Sequence, residues 1–453
     1  MPIKNYDVIV IGAGPAGQSV AIAAADAGKS VAMTEGRDYG GTCPLRGCDP
    51  KILLHAAAET MFRTDRMRGK GFTSAPGFSW PDLMEWKRSF TEPLPEEAQE
   101  KMDDHGINTY SEYATFVDAH TLRFGDQEVR GETIVLATGM KPAPLDIPGK
   151  EHLLTSDDFL DMDDLPAEMV IIGSGYIGSE SGHISHALGC KITMIASQSV
   201  PLSKFDSDLS RLLMKADQKR GIQYYTNHKA VAVRKQGNRY EVDAEDENGK
   251  ITTLTTDRVL HCAGRVPNTK SLDLDAAGIE YDDKLRIKVN GKLQTNVPHI
   301  YAVGDCNDSG LPLTPVGNYE AEVLNGNLFG DKDDSTELDT IPTVAFCLPG
   351  MASVGMTQQE YEEVKESRNI SRHYKDASDF YHARHINSPA FAFKLFVDED
   401  EQVLLGAHLL GPGVTEMINV LYMAIVEKVP VDRLGGLIYA YPTAASTIKS
   451  MLK

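Results

Sequence analysis

Six cysteines and two tryptophans in 453 residues, and no apolar run long enough to cross a bilayer, define what this sequence does without. So few cysteines exclude a small secreted scaffold stapled by disulfides. The missing long apolar run excludes a membrane-spanning helix. Cations are also scarce: 45 Lys and Arg face 65 Asp and Glu, a formal net charge of -20. Nucleic acid is thereby excluded as a partner, because neutralising phosphates takes clustered Lys and Arg. The acidity itself names no substrate.

What is present is the composition of a folded globular chain, 42% hydrophobic and 24% charged. Its length calls for about three domains at ~150 residues each. The opening "MPIKNYDVIVIGAG" is interrupted by Asp7 and runs into glycines, unlike a secretory leader. The expected compartment is therefore the reducing cytoplasm, where a close cysteine pair is catalytic or metal-binding more often than structural.

"YDVIVIGAGPAGQSVAIAAADAGKSVAMTE" reads as strand, glycine turn, helix and second strand. Gly12, Gly14 and Gly17, with Pro15 and Ala16 between them, give GxGxxG. That pattern meets three needs: a tight turn, close approach of a pyrophosphate, and close helix–strand packing. Glu35, eighteen residues after Gly17, is placed to accept ribose hydroxyls. The pattern returns in "EMVIIGSGYIGSESGHISHALGCKITMIASQS", through Gly173, Gly175, Tyr176, Ile177 and Gly178. Here the second strand ends without an acid, at Ile195, Ala196, Ser197 and Gln198. Lacking a carboxylate to repel a 2′-phosphate, the site leans to NADPH over NADH, with Ser197, Gln198 and Lys204 as phosphate contacts. NAD bound without an acid is the alternative. Two dinucleotide sites in one chain suggest a relay, commonly between FAD and a nicotinamide.

Between the two sites lies "GGTCPLRGCDPK", whose Cys43 and Cys48 are separated by four residues. Such a spacer at a helix start brings two sulfurs within bonding reach, and helix N-termini favour the reactive thiolate. A structural disulfide or a zinc site are the alternatives. Zinc needs further ligands at matched spacing, and Cys190, Cys262, Cys306 and Cys347 are solitary packing residues. No metal site is expected.

With "IVLATGMKP", "HCAGRVPNT", "IYAVGDC", "LTPVG" and the C-terminal "YPTAAS", the chain resembles the class I flavoprotein disulfide reductases along its whole length. That resemblance implies an α/β fold with two Rossmann-like domains and a C-terminal α+β dimerisation domain. Residues 1–146 would begin the FAD domain, 147–264 bind NAD(P)H, 265–336 complete the FAD domain, and 337–453 form the homodimer interface. FAD would contact Gly41, Thr42, Ala114, Thr138, Gly139, Asp305 and Thr314. Gly264 would join the cofactor contacts. Cys48 would lie nearest the flavin, with Cys43 outward for exchange. Lys51 would sit at the reactive edge of the flavin, Glu180 would orient its ammonium, and Tyr176 would cover the nicotinamide pocket.

Two departures follow. Asp49 replaces the usual apolar residue after the second cysteine and is expected to face solvent. The family's closing His-Pro-Thr, with its Glu, is replaced by Tyr441, Pro442, Thr443 and Ser446. Tyr441 would reach the other subunit's site, and His382 or His385 are the candidates for a displaced proton carrier. The expected function is an FAD-dependent NAD(P)H oxidoreductase cycling Cys43–Cys48. Its small-molecule acceptor is a disulfide, a thiophilic metal ion or a quinone; a slow redox sensor is the alternative. The sequence shows no convincing glutathione clamp, Arg37 and Arg46 being no more than generic anion contacts.

Overall fold

The computed structural model describes residues 3–453, and the chain divides into two compact units. The first comprises Met1–Leu53, Met84–Ala143 and Gly264–Leu338. At its centre runs β1 (Lys4–Ile11), parallel to β2 (Val31–Thr34) on one side and to the strand Gln127–Leu136 on the other. Val8 to Ile11 are all buried, which is why this strand is a continuous apolar run and not an alternating one. Helix α1 (Pro15–Asp26) follows β1 and packs on the helix Thr314–Phe329 through small residues such as Ala21 and Ala321. The strand Ile300–Ala302 joins the same sheet beside Gln127–Leu136.

The second unit comprises Leu54–Leu83, Pro144–Ala263 and Asp339–Lys453. It holds a parallel four-stranded sheet ordered Gln223–Thr226, Lys191–Ala196, Glu168–Ile172 and Arg258–His261. A three-stranded antiparallel meander, residues 228–256, accompanies it. A five-stranded antiparallel sheet carries the C-terminal quarter, backed by the helix Val414–Val426 with Met417, Ile418 and Leu421 inward. In that sheet the fully buried Lys394 ammonium lies 2.6 Å from Asp206 and 2.7 Å from Asp208. Asp206 also caps the helix Ser207–Arg220 by accepting from Asp208 and Leu209 N–H. This charged joint had no sequence signal. The fold is thus mixed α/β with an antiparallel C-terminal region. Among the described residues no helix is long and apolar enough to cross a membrane.

Candidate active site

The first glycine turn joins β1 to α1. Gly12 has φ +105°, and a Cβ there would stand 2.3 Å from the Ala137 carbonyl oxygen. Its N–H donates to Thr34 O at 2.8 Å. Gly14 caps α1 with no side-chain bond, and Pro15 lacks an N–H, so the free donors of the first turn remain for an anion. Gly41 approaches Gly14 so closely that a Cβ would meet its Cα at 2.5 Å. Glu35 accepts from Ala13 N–H at 3.0 Å and from Arg37 N–H at 2.9 Å. Its carboxylate is therefore oriented by backbone, leaving lone pairs for a ribose.

A cavity of about 40 Å³ opens beside it, lined by Glu35, Tyr113, Ala114 and Thr138 among others. Tyr113 carried no sequence signal; its ring covers Gly36, where no Cβ fits. Gly139, beyond Thr138, has φ +61° and accepts Asn268 N–H at 2.9 Å. Asp305 lies on the turn Gly304–Cys306, and burial pushes its carboxyl up while Arg265 pulls it down. The buried Glu320 holds that turn, accepting Gly304 N–H at 2.6 Å and the Asn307 amide at 3.0 Å. Nothing in the sequence marked Glu320 as a positioning residue. The glycine cradle, the uncapped helix and the groove beside Glu35 fit an FAD.

The second turn follows Glu168–Ile172 and opens the helix Tyr176–Ala187, again capped by a glycine, Gly175, with no side-chain bond. Gly173 has φ +103°, and Gly178 packs on the Gly173 carbonyl, where a Cβ would come within 2.0 Å. Ile177 is half-buried. The Tyr176 hydroxyl is 2.6 Å from Thr343 Oγ1 and its ring 5.2 Å from Phe205. Burial raises the Tyr176 phenol above its ordinary range. Glu180 is buried and accepts Phe346 N–H at 2.9 Å. One turn on, the fully buried His183 lies 3.1 Å from Asp217 and accepts Leu348 N–H at 2.8 Å, a pair the sequence did not disclose. Ser197, Gln198 and Lys204 are all exposed beyond the strand Lys191–Ala196. Gly264 falls in the first unit, its carbonyl accepting Ala143 N–H at 3.0 Å.

The cysteines sit where two helices begin. Cys43 lies in the short α2 (Thr42–Arg46), and Cys48 is the first residue of α3 (Cys48–Arg66). Between them Gly47 folds so tightly that a Cβ would be 2.8 Å from Thr42 O. Both are reduced. The adjacent Cys48 thiol and burial push Cys43 well above the usual thiol range; the Thr314 hydroxyl draws it back. Thr314, first residue of its helix, is 3.8 Å from Cys48 Sγ. Two adjacent sulfurs cannot both ionise readily, so the pair holds its protons together. Cys43 is half-buried and Cys48 exposed. Asp49 is exposed, as expected, and only adds to the rise at Cys43. The Lys51 backbone N–H bonds Gly47 O at 3.2 Å. Arg46 pairs with Asp38 at 2.6 Å, which occupies one candidate anion contact.

In the C-terminal segment Tyr441 is 77% exposed. Ser446 donates to Thr443 O at 2.6 Å and so closes its own turn. Both line a cavity of about 830 Å³ that also contains His382. His382 Nε2 lies 3.1 Å from Pro412 O, and burial lowers its pKa; the exposed His385 does not line this cavity.

The family model for pyridine nucleotide-disulphide oxidoreductases matches residues 6–321, and the one for their dimerisation domain matches residues 341–452. The chain belongs to this family. Its relatives include a glutathione reductase from Nostoc sp., 29% identical over 99% of both chains. A mercuric reductase from Staphylococcus aureus is 28% identical over 98% of this chain and 81% of its own. Among solved structures, the HOCl-induced flavoprotein disulfide reductase RclA from Escherichia coli superposes with a TM-score of 0.88, 26% identity and 99% coverage of both chains. RclA has also been solved as a Cu(II) complex. The chain is an NAD(P)H-dependent flavoprotein disulfide oxidoreductase, its family binds FAD and a pyridine nucleotide, and its dimerisation domain supports a homodimer. Among the described residues no three His, Cys, Asp or Glu side chains assemble a metal site.

Proposed function

We propose that this protein carries electrons from NADPH through a Cys43–Cys48 disulfide to a small acceptor whose reduced form needs no proton on leaving. The observation that carries the reading is the reduced pair itself, sulfur beside sulfur, at the start of α3 and against Thr314. When bound, FAD would supply the two-electron link between the nicotinamide and the disulfide. It would be held by the Gly12–Gly17 turn, Glu35, Gly41, Ala114, Thr138 and Asp305. Cys43 thiolate then attacks one sulfur of an aromatic disulfide and releases one aryl thiolate. Cys48 next attacks Cys43, re-forming the Cys43–Cys48 bond and freeing the second thiolate; the two protons of the dithiol go to water.

The domain division 1–146, 147–264, 265–336 and 337–453 belongs to the same proposal, as do the roles of Lys51, Glu180 and Tyr176 and a reducing, cytoplasmic setting. Tyr441 of each chain completes the other's site, where it stands in place of an imidazole, the usual general acid–base group. Ser446, engaged with Thr443, gives it no charge.

A panel of acceptors tests this. NADPH oxidation should be slow with glutathione disulfide or lipoamide, and faster by about 10²–10⁴-fold with 5,5′-dithiobis(2-nitrobenzoate), mercuric or cupric ion, or a quinone. Efficient reduction of glutathione disulfide, with a bell-shaped pH profile near neutrality, would overturn it. A thiophilic metal ion as the physiological acceptor is the second reading, favoured by the likeness to a mercuric reductase and to RclA with its Cu(II) complex.

A further inference from the structure

The 830 Å³ cavity around Tyr441 has a charge that the rest of the chain does not. In a protein of net charge -20, its lining includes Arg372, Lys375 and Lys453 and not one Asp or Glu. Arg372 and Lys375 come from the strand Ile370–Asp376 at the edge of the five-stranded sheet. Arg372 makes one long ion pair and also draws down the Asp208 carboxylate. Arg372 is 3.9 Å from Glu362, a carboxylate that Lys365 already holds at 2.6 Å. The Lys375 ammonium lies over the Phe380 ring, 4.7 Å from its centroid. Aromatic rings supply the other walls: Tyr374, Phe380, Tyr381 and Tyr441.

A concave site of a few hundred Å³, walled by rings and holding a few convergent charges, has the size and make-up of a small-molecule pocket. Fixed cations in an otherwise acidic protein concentrate anions there, since the surrounding field repels them elsewhere. We propose that this cavity selects an aromatic acceptor bearing negative charge, a carboxylated or sulfonated aryl disulfide. This deepens the function proposed above and rests on it: because Tyr441 is read as facing the other subunit's dithiol, an acceptor held beside Tyr441 stands before Cys43. The cations bind the acid groups, the rings stack on the aryl groups, and the electron transfer is that already described.

The test uses the FAD-bound dimer with NADPH and two aromatic disulfides, the dianionic 5,5′-dithiobis(2-nitrobenzoate) and the neutral 2,2′-dithiodipyridine. The ratio of kcat/KM for the dianion over the neutral acceptor should fall about tenfold or more in Arg372→Glu/Lys375→Glu. In the parent it should fall with added salt. Arg372→Lys/Lys375→Arg should restore the ratio. An unchanged ratio in the charge-reversed variant overturns the proposal. A second arm does not depend on turnover: isothermal titration with biphenyl-4,4′-dicarboxylate, which cannot be reduced. Binding to the parent and none to the reversed variant supports the cavity even if neither disulfide is turned over, in which case the reading of the function has failed. No binding to the parent, or equal binding to both proteins, sinks the cavity alone.

Discussion

The two glycine turns are nearly the same object. Gly12 and Gly173 have φ +105° and +103°, and each donates at 2.8 Å to a carbonyl of the neighbouring strand, Thr34 or Ile195. Gly17 and Gly178 each press on the carbonyl of the turn's first glycine, with 2.0 Å left for a Cβ. The likeness ends at the next residue of that strand. After Thr34 comes Glu35, whose carboxylate is fixed by Ala13 and Arg37 N–H; after Ile195 comes Ala196, with nothing to fix. The middle glycines differ too, since Gly14 meets the backbone of Gly41 while Gly175 has nothing within 4 Å. The two turns thus share one backbone shape and differ in what surrounds them.

Gly12 is where the first turn tolerates least. Gly12→Val puts a β-branched residue at positive φ against Ala137 O, at a cost above about 3 kcal/mol. Loss of FAD and of cooperative unfolding is expected, followed by absorbance and thermal melting. At Ala196, equivalent to Glu35 by hydrogen-bond register, a Glu should turn preference from NADPH toward NADH by about tenfold or more, through repulsion of the 2′-phosphate. Steady-state kinetics with both nucleotides decides it, and a parent that already prefers NADH reverses the assignment. Gly175→Ala is the mild counterpart: its methyl enters open space, so melting should stay within about 1 °C while KM for NADPH rises several-fold. Smallest of all, Tyr441→Phe should change reduction of an aromatic disulfide less than about threefold, because an aryl thiolate leaves without a proton.

The sequence disclosed what short-range chemistry dictates. GxGxxG, the Cys43–Cys48 spacing and the apolar run of β1 each impose a local shape, and each forms as expected. What it hid depends on distant residues meeting. Glu320 reaches Gly304 across sixteen positions, His183 reaches Asp217 across thirty-four, and Lys394 reaches Asp206 across one hundred and eighty-eight. The cavity joins Arg372 and Lys375 to Tyr441 across some seventy residues, so its charge was invisible in a chain that is acidic overall. His382 was named as one of two candidates; only the fold brings it, and not His385, into the cavity with Tyr441.

Absorbance during anaerobic reduction reads the redox role of Cys43 and Cys48 directly. The purified protein should be yellow, and two-electron reduction should raise a long-wavelength band from the Cys48 thiolate beside the flavin. Cys43→Ser should show that band without any reductant, Cys48→Ser should not show it at all, and both should lose disulfide turnover. Parent-like spectra and turnover in both variants would contradict the assignment of Cys43 and Cys48 as the redox pair.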